Sequence, residues 1–371
     1  MQKNEPIRIA HIMGKWLGGG VEAFVMNYYR RIDRSKIQFD FICDEDSTDI
    51  PYKEIESLGG RVILCPPYQK LSKYIKKLKK IFKENNYKIV HSNLNALSVF
   101  PLYAAKKAGV PIRIAHSHST SNKIEKKKNI IKNILRPFSK KYATHYFACT
   151  EHAGIWLFGR QSVYENEVFI VNNGINLDDY KFNEKIRNEK RSELKLKDSD
   201  IVIGNIGRFV KQKNHEFIID LFNKLYSGNK NYKLMLIGQG PLQNEIKDKV
   251  KTLGLENAVM FLGQKKDANK YYQAMDLFLF PSIYEGLGMV MVEAQTSGLV
   301  SIASTEVPEI ATVSDKAIFI DLSDPLDVWA DKINKSIDKD RKVDIKRIQD
   351  AGYDIKLEAK KLENKYLDLI K

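Results

Sequence analysis

The segment Phe280-Pro281-Ser282-Ile283-Tyr284-Glu285-Gly286-Leu287-Gly288-Met289-Val290-Met291-Val292-Glu293-Ala294 passes from one secondary-structure pattern to another. The apolar run entering it, Leu277 to Phe280, has the composition of a parallel strand buried on both faces. Pro281 and Ser282 end that run, and Gly286 and Gly288 bracket a tight turn. From Met289 to about Ser297 the pattern is helical. Strand, glycine loop and helix N-terminus in that order offer backbone N–H groups and a favourable dipole to an anion. Two carboxylates flank this anion site, Glu285 in the loop and Glu293 about two helical turns further on. A carboxylate there makes chemical sense if it accepts hydrogen bonds from ligand hydroxyls. A nucleotide sugar brings both a diphosphate and hydroxyls. Taken singly, Glu285 as a helix cap and Glu293 as a solvated helix residue are the simpler readings. Only the whole string argues otherwise.

The same alternation extends outward in both directions. Upstream, strand Ile201–Ile206 leads into Gly207-Arg208-Phe209-Val210-Lys211-Gln212-Lys213-Asn214 and a helix from His215 to Leu225, with Asn214 as its expected cap. Two cations ahead of a helix N-terminus suit a diphosphate, Arg208 as a fork and Lys213 as a point charge. The alternative is two surface cations at a strand exit. Strands Leu234–Ile237, Val259–Leu262 (followed by Gly263-Gln264) and Ser301–Ala303 complete this half, and a helix over 354–371 ends the chain. The first half opens with strand Ile7–Met13, Gly18-Gly19-Gly20 and helix Val21–Arg31, without a G-x-G-x-x-G dinucleotide fingerprint. Strand Phe39–Cys43 ends at Asp44-Glu45-Asp46, read as a solvated turn. Strand Ile112–Ala115 ends at His116-Ser117-His118. Two histidines at this spacing are too few for zinc; His116 reads as a structural hydrogen-bonder.

The chain has 371 residues, 43% of them hydrophobic, enough for two domains with full cores. Cys43, Cys65 and Cys149 lack metal-ligand or disulfide spacing, which points to a reducing compartment. No apolar leader and no membrane-length run is visible, so the expected location is cytoplasmic. The net charge of +15 is uneven: residues 1–170 hold 29 basic and 15 acidic residues, +14 of the total. Two helices carry much of it, 71–87 (Lys73, Lys76, Lys77, Lys79, Lys80, Lys83) and 125–142 (Lys126, Lys127, Lys128, Lys132, Lys140, Lys141). Each has an apolar stripe on its other face, and Pro137 is placed to kink or split the second. Such lysine faces are either solvated or docked on an anionic membrane surface, which would make the protein peripheral on the inner face of the cell membrane. A nucleic-acid platform would need interleaved exposed aromatics, which are missing.

The central string resembles the EGLG…E signature of retaining GT-B glycosyltransferases, the large family 4. On that resemblance Glu285 and the amides of Gly286, Leu287 and Gly288 hold the donor sugar, and Glu293 takes the ribose hydroxyls. Gly207-Arg208 through Lys213 is similar to the family's Gly-Arg-…-Lys diphosphate segment, and Gly263-Gln264 to the turn against the nucleobase. Gly19-Gly20-Val21-Glu22 resembles the N-terminal Gly-Gly-x-Glu loop that closes over the donor phosphates. Asn172-Asn173-Gly174-Ile175-Asn176 resembles the junction segment, with Asn176 where Asp is usual. His118 matches the histidine at the sugar and reacting centre. The resemblance covers nearly the whole chain and is strongest in its second half.

Two strand–helix halves imply an α/β fold of two doubly wound parallel sheets, in GT-B fashion facing a central cleft. The expected division is an acceptor-binding domain over 1–171, joined by the C-terminal helix 354–371, and a donor-binding domain over 172–353. The implied reaction moves a hexosyl or N-acetylhexosaminyl unit, with retention, from a UDP-sugar to a hydroxyl of a lipid-linked or cell-surface polysaccharide precursor, as in exopolysaccharide or capsule assembly. Catalytic roles fall to His118, Arg208, Lys213 and Glu285. Donor contacts add Gly19, Gly20, Asn173, Gly263, Gln264, Gly286, Leu287, Gly288 and Glu293. No metal or other cofactor and no nucleic acid is expected. Three alternatives remain: a nucleotide-sugar 2-epimerase on the same fold, a basic nucleic-acid-binding protein, and a subunit without activity. The epimerase's carboxylate pair and histidine are not identifiable. The intact Arg208, Lys213, Glu285 and Glu293 argue against the inactive subunit.

Overall fold

The computed structural model describes residues 5–118, 132–337 and 340–371. The chain forms two compact units, Met1–Ile175 with Gly352–Lys371, and Asn176–Ala351. Each is built on a parallel sheet with helices in its crossovers.

The first unit contains, among the described residues, seven strands: β1 (Ile7–Gly14), β2 (Ile37–Asp44), β3 (Arg61–Cys65), β4 (Ile89–Ser92), β5 (Ile112–Ser117), β6 (His145–Ala148) and β7 (Val168–Ile170), in the order β3-β2-β1-β4-β5-β6-β7. The order reverses between β1 and β4, and ligands of doubly wound sheets bind beyond the carboxyl ends of the strands at that point. β2 is buried along its whole length, as a strand covered on both faces must be. The C-terminal helix Ile355–Ile370 lays Ile355, Ala359, Leu362 and Tyr366 into the same core as Phe39, Tyr28 and Phe147.

Asp40 on β2 is fully buried and ties the sheet edge together. It accepts from Arg8 Nη2 at 2.7 Å, Arg61 Nε at 3.0 Å and Tyr87 Oη at 2.7 Å. Burial pushes its carboxyl up, but hydrogen bonds from Arg61, Arg8 and Tyr87 outweigh it and hold the group below the usual carboxylate range. Its stabilisation is therefore present at neutral pH and is lost as pH falls through that lowered value. Asp40→Ala leaves two cations and a buried phenol without their acceptor. It should cost about 3 kcal/mol, roughly 6–12 °C in the melting of this unit, read by calorimetry.

The second unit holds six described strands: β8 (Ile201–Ile206), β9 (Tyr232–Ile237), β10 (Val259–Gly263), β11 (Leu277–Phe280), β12 (Val300–Ser304) and β13 (Ala317–Ile320), in the order β10-β9-β8-β11-β12-β13. Here the reversal falls between β8 and β11. Leu277, Phe278, Leu279 and Phe280 are all buried, which explains the unbroken apolar run. Trp329 on helix Leu326–Ser336 packs into this core with Phe222 and Leu225.

Several local expectations need correction. The first lysine-rich helix spans Leu71–Glu84 and stops short of Tyr87, because Asn86 adopts φ +47° and breaks the turn. Of the second, residues 125–131, with Lys126, Lys127 and Lys128, lie outside the described residues. The remainder is helical over 132–135 and tightens at Pro137 into a 3-10 turn, Arg136–Phe138. Asn214 precedes helix His215–Gly228 but does not cap it with its side chain. It sits in the left-handed region at φ +56° and donates Nδ2–H to Pro281 O at 3.1 Å. Asp44 is buried at the end of β2, where burial lifts its carboxyl to about 6, so the turn is not fully solvated.

Candidate functional site

The loops leaving β8 and β11 in the second unit are zipped together. Ile283 N donates to Gln212 O at 2.8 Å, Gln212 Nε2 to Tyr284 O at 3.0 Å, and Asn214 bonds to Pro281. This places Lys213 against Glu285: Nζ and Oε1 stand 2.6 Å apart, with the side chains only 15% and 9% exposed. The Lys213 ammonium also lies 4.7 Å from the ring centre of Phe280, the last residue of β11. Arg208, by contrast, is exposed and pairs with no carboxylate among the described residues. The structure therefore joins Lys213 to Glu285 and leaves Arg208 as the uncommitted cation.

Arg208 lines a cleft of about 460 Å³ with Gly207, Gly238, Gly240 and Gln264, beyond the carboxyl ends of β8, β9 and β10. Glycine is required at its floor. Gly238 has φ +140°, and a Cβ there would stand 2.0 Å from Gly207 O. Gly238 N–H donates to the Gly263 carbonyl at 2.9 Å, so the turn before Gln264 is tied to the same floor. Across the loop after β11, Gly286 faces open space, and Gly288 (φ +75°) begins helix Met289–Thr296 with no side-chain cap on its first N–H groups. Leu287 between them is half-buried. An uncapped helix start beside open space keeps donors free for an anion.

Glu293 is not a solvated helix residue. Its Oε2 accepts from Tyr272 Oη at 2.8 Å. Burial pushes the carboxyl up to about 7, against hydrogen bonds from Tyr272 and Tyr180 that favour the ionised form. Both tyrosines escaped the sequence reading: Tyr272 sits among buried residues of helix Ala268–Ala274 and Tyr180 in a short helix after the junction, and neither forms a motif with Glu293. His215 was also missed as a buried polar group. Its ring stacks on Phe209 at 4.0 Å, and neither nitrogen has a partner among the described residues.

The other sequence candidates belong to the first unit. Gly19 and Gly20 open helix Gly20–Arg31, where Glu22 folds back so that Oε1 accepts from Leu17 N at 3.1 Å. Asn173 has a buried Oδ1 without a partner among the described residues. His118 follows β5, with its main-chain N–H on Asn95 Oδ1 at 2.7 Å and its ring on Asn93. Among the described residues no group of three or more His, Cys, Asp or Glu side chains could hold a metal ion. No described helix is long and apolar enough to cross a membrane.

The model of the family described as "Glycosyltransferase Family 4" matches residues 18–179, and that described as "Glycosyl transferases group 1" matches 186–350. The Bacillus subtilis protein named glycosyltransferase EpsF is 33% identical over 335 residues, covering 89% of this chain and 87% of its own length. The chain belongs to glycosyltransferase family 4. This glycosyltransferase is also 25% identical, over 97% of its length and 99% of the relative's, to the Staphylococcus aureus capsular polysaccharide biosynthesis glycosyltransferase CapH. An Escherichia coli relative, 24% identical over 80% of this chain and 79% of its own, is named UDP-Gal:alpha-D-GlcNAc-diphosphoundecaprenol alpha-1,3-galactosyltransferase. Among solved structures, Anabaena Alr3699/HepE in complex with UDP superposes with a TM-score of 0.78 at 20% identity, covering 98% of this chain and all of that one. The two parallel-sheet units are thus those of a GT-B enzyme.

Proposed function

We propose that this enzyme transfers a hexosyl or N-acetylhexosaminyl unit from a UDP-sugar to a hydroxyl of a lipid-linked polysaccharide precursor, retaining the anomeric configuration and using no metal. The observation that carries the reading is the uncommitted Arg208 beside the Lys213–Glu285 pair, on the two loops at the switch point of the second sheet. The names of the relatives support the donor and acceptor classes: one is named for UDP-galactose and a diphosphoundecaprenol acceptor, another for capsular polysaccharide. HepE, on the same fold, was solved with UDP and with UDP-glucose.

In this reading 176–351 is the donor unit and the first unit takes the acceptor. Cleaving the sugar–phosphate bond adds negative charge to the diphosphate. Arg208 meets it as a fork, and the free N–H groups around Gly288 add donors. Lys213 is held in place by Glu285 until a ligand arrives. Glu285 then turns to sugar hydroxyls and Lys213 to phosphate. Glu293 accepts the ribose hydroxyls, and the turn at Gly263-Gln264 meets the base. Gly19, Gly20 and Asn173 are donor contacts of the first unit and His118 its sugar contact. The exposed Lys73, Lys76, Lys77, Lys80 and Lys83 lie opposite the buried Tyr74, Leu78, Ile81 and Phe82, and this face rests on the anionic inner leaflet of the cell membrane. Incubation with radiolabelled UDP-sugars and a diphosphoundecaprenol-linked acceptor, with NMR of the product's anomeric proton, tests the reading. One donor should label the lipid with its own anomeric configuration. An inverted product, or sugar epimerisation without an acceptor, would refute it.

A further inference from the structure

Four histidines of the first unit lie ring against ring. His11 is on β1, His91 on β4, His116 on β5, and His118 follows β5. The ring centres stand 4.8 Å (His11–His91), 5.0 Å (His91–His116) and 3.9 Å (His116–His118) apart. A chain of polar contacts threads them. His118 Nε2 is 3.0 Å from Asn93 Oδ1, and Asn93 Nδ2 is 3.3 Å from His11 Nδ1. His11 Nε2 is 3.5 Å from Tyr366 Oη, the weakest link. Tyr366 Oη is 2.6 Å from His91 Nδ1, and His91 Nε2 is 2.9 Å from His116 Nδ1.

Asn93 sets the direction of donation along this chain. Its amide nitrogen also faces Ile12 O at 3.4 Å and Met13 Sδ at 3.6 Å, and both can only accept. The NH₂ group therefore belongs on that side, and the amide oxygen faces His118. An oxygen acceptor requires a hydrogen on His118 Nε2. The ring is neutral: it stacks on His116, meets the edge of Phe24 at 5.0 Å, and burial pushes its pKa down to about 3. A neutral ring protonated at Nε2 carries its lone pair on Nδ1, which has no partner among the described residues. The same logic runs inward. His11 accepts at Nδ1 and so carries its hydrogen on Nε2, facing Tyr366. The Tyr366 hydroxyl donates to His91, and His91 donates to His116. The chain ends at His116 Nε2, buried without a partner among the described residues.

We propose that Asn93 and Tyr366 are positioning residues that hold His118 as the neutral Nε2–H tautomer, so that its Nδ1 serves as an acceptor for a hydroxyl of the donor sugar. This rests on His118 being the sugar contact of the glycosyl transfer described above. It makes the C-terminal helix, which carries Tyr366, part of the catalytic apparatus of the first unit. It also removes His118 as a proton donor at neutral pH.

The test is ¹⁵N NMR of the full-length enzyme labelled only at histidine, where a bare ring nitrogen and a protonated one resonate far apart. His118→Gln assigns the signals. The wild type should show His118 bare at Nδ1 and protonated at Nε2. In Asn93→Ala the two nitrogens should average between tautomers, and Tyr366→Phe should shift the His91 signals first. Turnover number should fall about 10²-fold in both Asn93→Ala and His118→Ala, with donor KM little changed, because a misplaced contact acts on the reacting geometry. The double variant should lose no more than either single one. A wild-type His118 protonated at Nδ1 overturns the proposal, and that spectrum needs no variant to fold. An unchanged His118 tautomer in Asn93→Ala also overturns it. The expected tautomer together with full turnover in His118→Ala would overturn the sugar contact itself, while leaving the donor-unit reading of Arg208 intact.

Discussion

Arg208→Ala is expected to lower kcat/KM for the nucleotide sugar by about 10²–10³-fold with little change in melting temperature. The reason is the side chain's isolation. Arg208 is exposed and pairs with no carboxylate among the described residues, so truncation removes nothing that the empty fold relies on. All of its effect falls on the ligand. A preorganised donor aimed at developing charge contributes about 2.7–4 kcal/mol, which is that range of rates. Lys213→Ala should behave differently. It strips the partner from Glu285, a carboxylate only 9% exposed, so stability and activity fall together. Arg208→Lys should recover only part of the loss, because a point charge cannot grip a diphosphate in two places. Steady-state kinetics and calorimetry on the three variants separate these outcomes.

Glu293→Gln should make the enzyme more stable above pH 7 and worse at binding nucleotide. Burial lifts the Glu293 carboxyl from its ordinary value to about 7. For a raised carboxyl, the stabilising contribution is complete below the unfolded value and is lost as pH rises through about 7. The strain of holding the ionised group in the apo fold at pH 8 is on the order of 3 kcal/mol. Glutamine removes that strain and still accepts from Tyr272. Ribose hydroxyls, however, are bound best by the ionised form. Nucleotide affinity in the wild type should therefore fall by up to tenfold per pH unit below 7, and the Gln variant should be weaker but flat with pH. Titration calorimetry at pH 6, 7 and 8, with thermal melts at the same pH values, reads both halves. A wild-type affinity independent of pH would remove Glu293 from the nucleotide site.

The sequence made the second unit legible because its information is local. Leu277–Phe280, the glycines at 286 and 288, and Arg208 ahead of a helix are each a strand exit and a loop read within a few residues. What escaped was carried by the sheet. The contact of Gly238 with Gly207 depends on two strand ends lying side by side, and no local pattern announces it. Tyr272 and Tyr180 reach Glu293 from separate elements. The histidine run has the same character. His11 and His91 are direct neighbours in the β1–β4 register, yet 80 positions separate them in the chain. His116 reads as a lone structural histidine until β5 is laid beside β4. Asn214 shows the limit of cap rules: a loop in contact with Pro281 drew its side chain away from the helix.

The central claim is that residues 176–351 hold a nucleoside diphosphate through Arg208 without a metal. A thermal melt of the pure enzyme against UDP, GDP and ADP, with and without EDTA, tests it most directly. At a hundred times its Kd, a ligand adds about 2.7 kcal/mol to the folded state, a shift of several degrees. UDP should raise the melting temperature equally in EDTA, and Arg208→Ala should abolish the rise. A protein that no nucleoside diphosphate stabilises, or one whose stabilisation survives Arg208→Ala, would contradict the account.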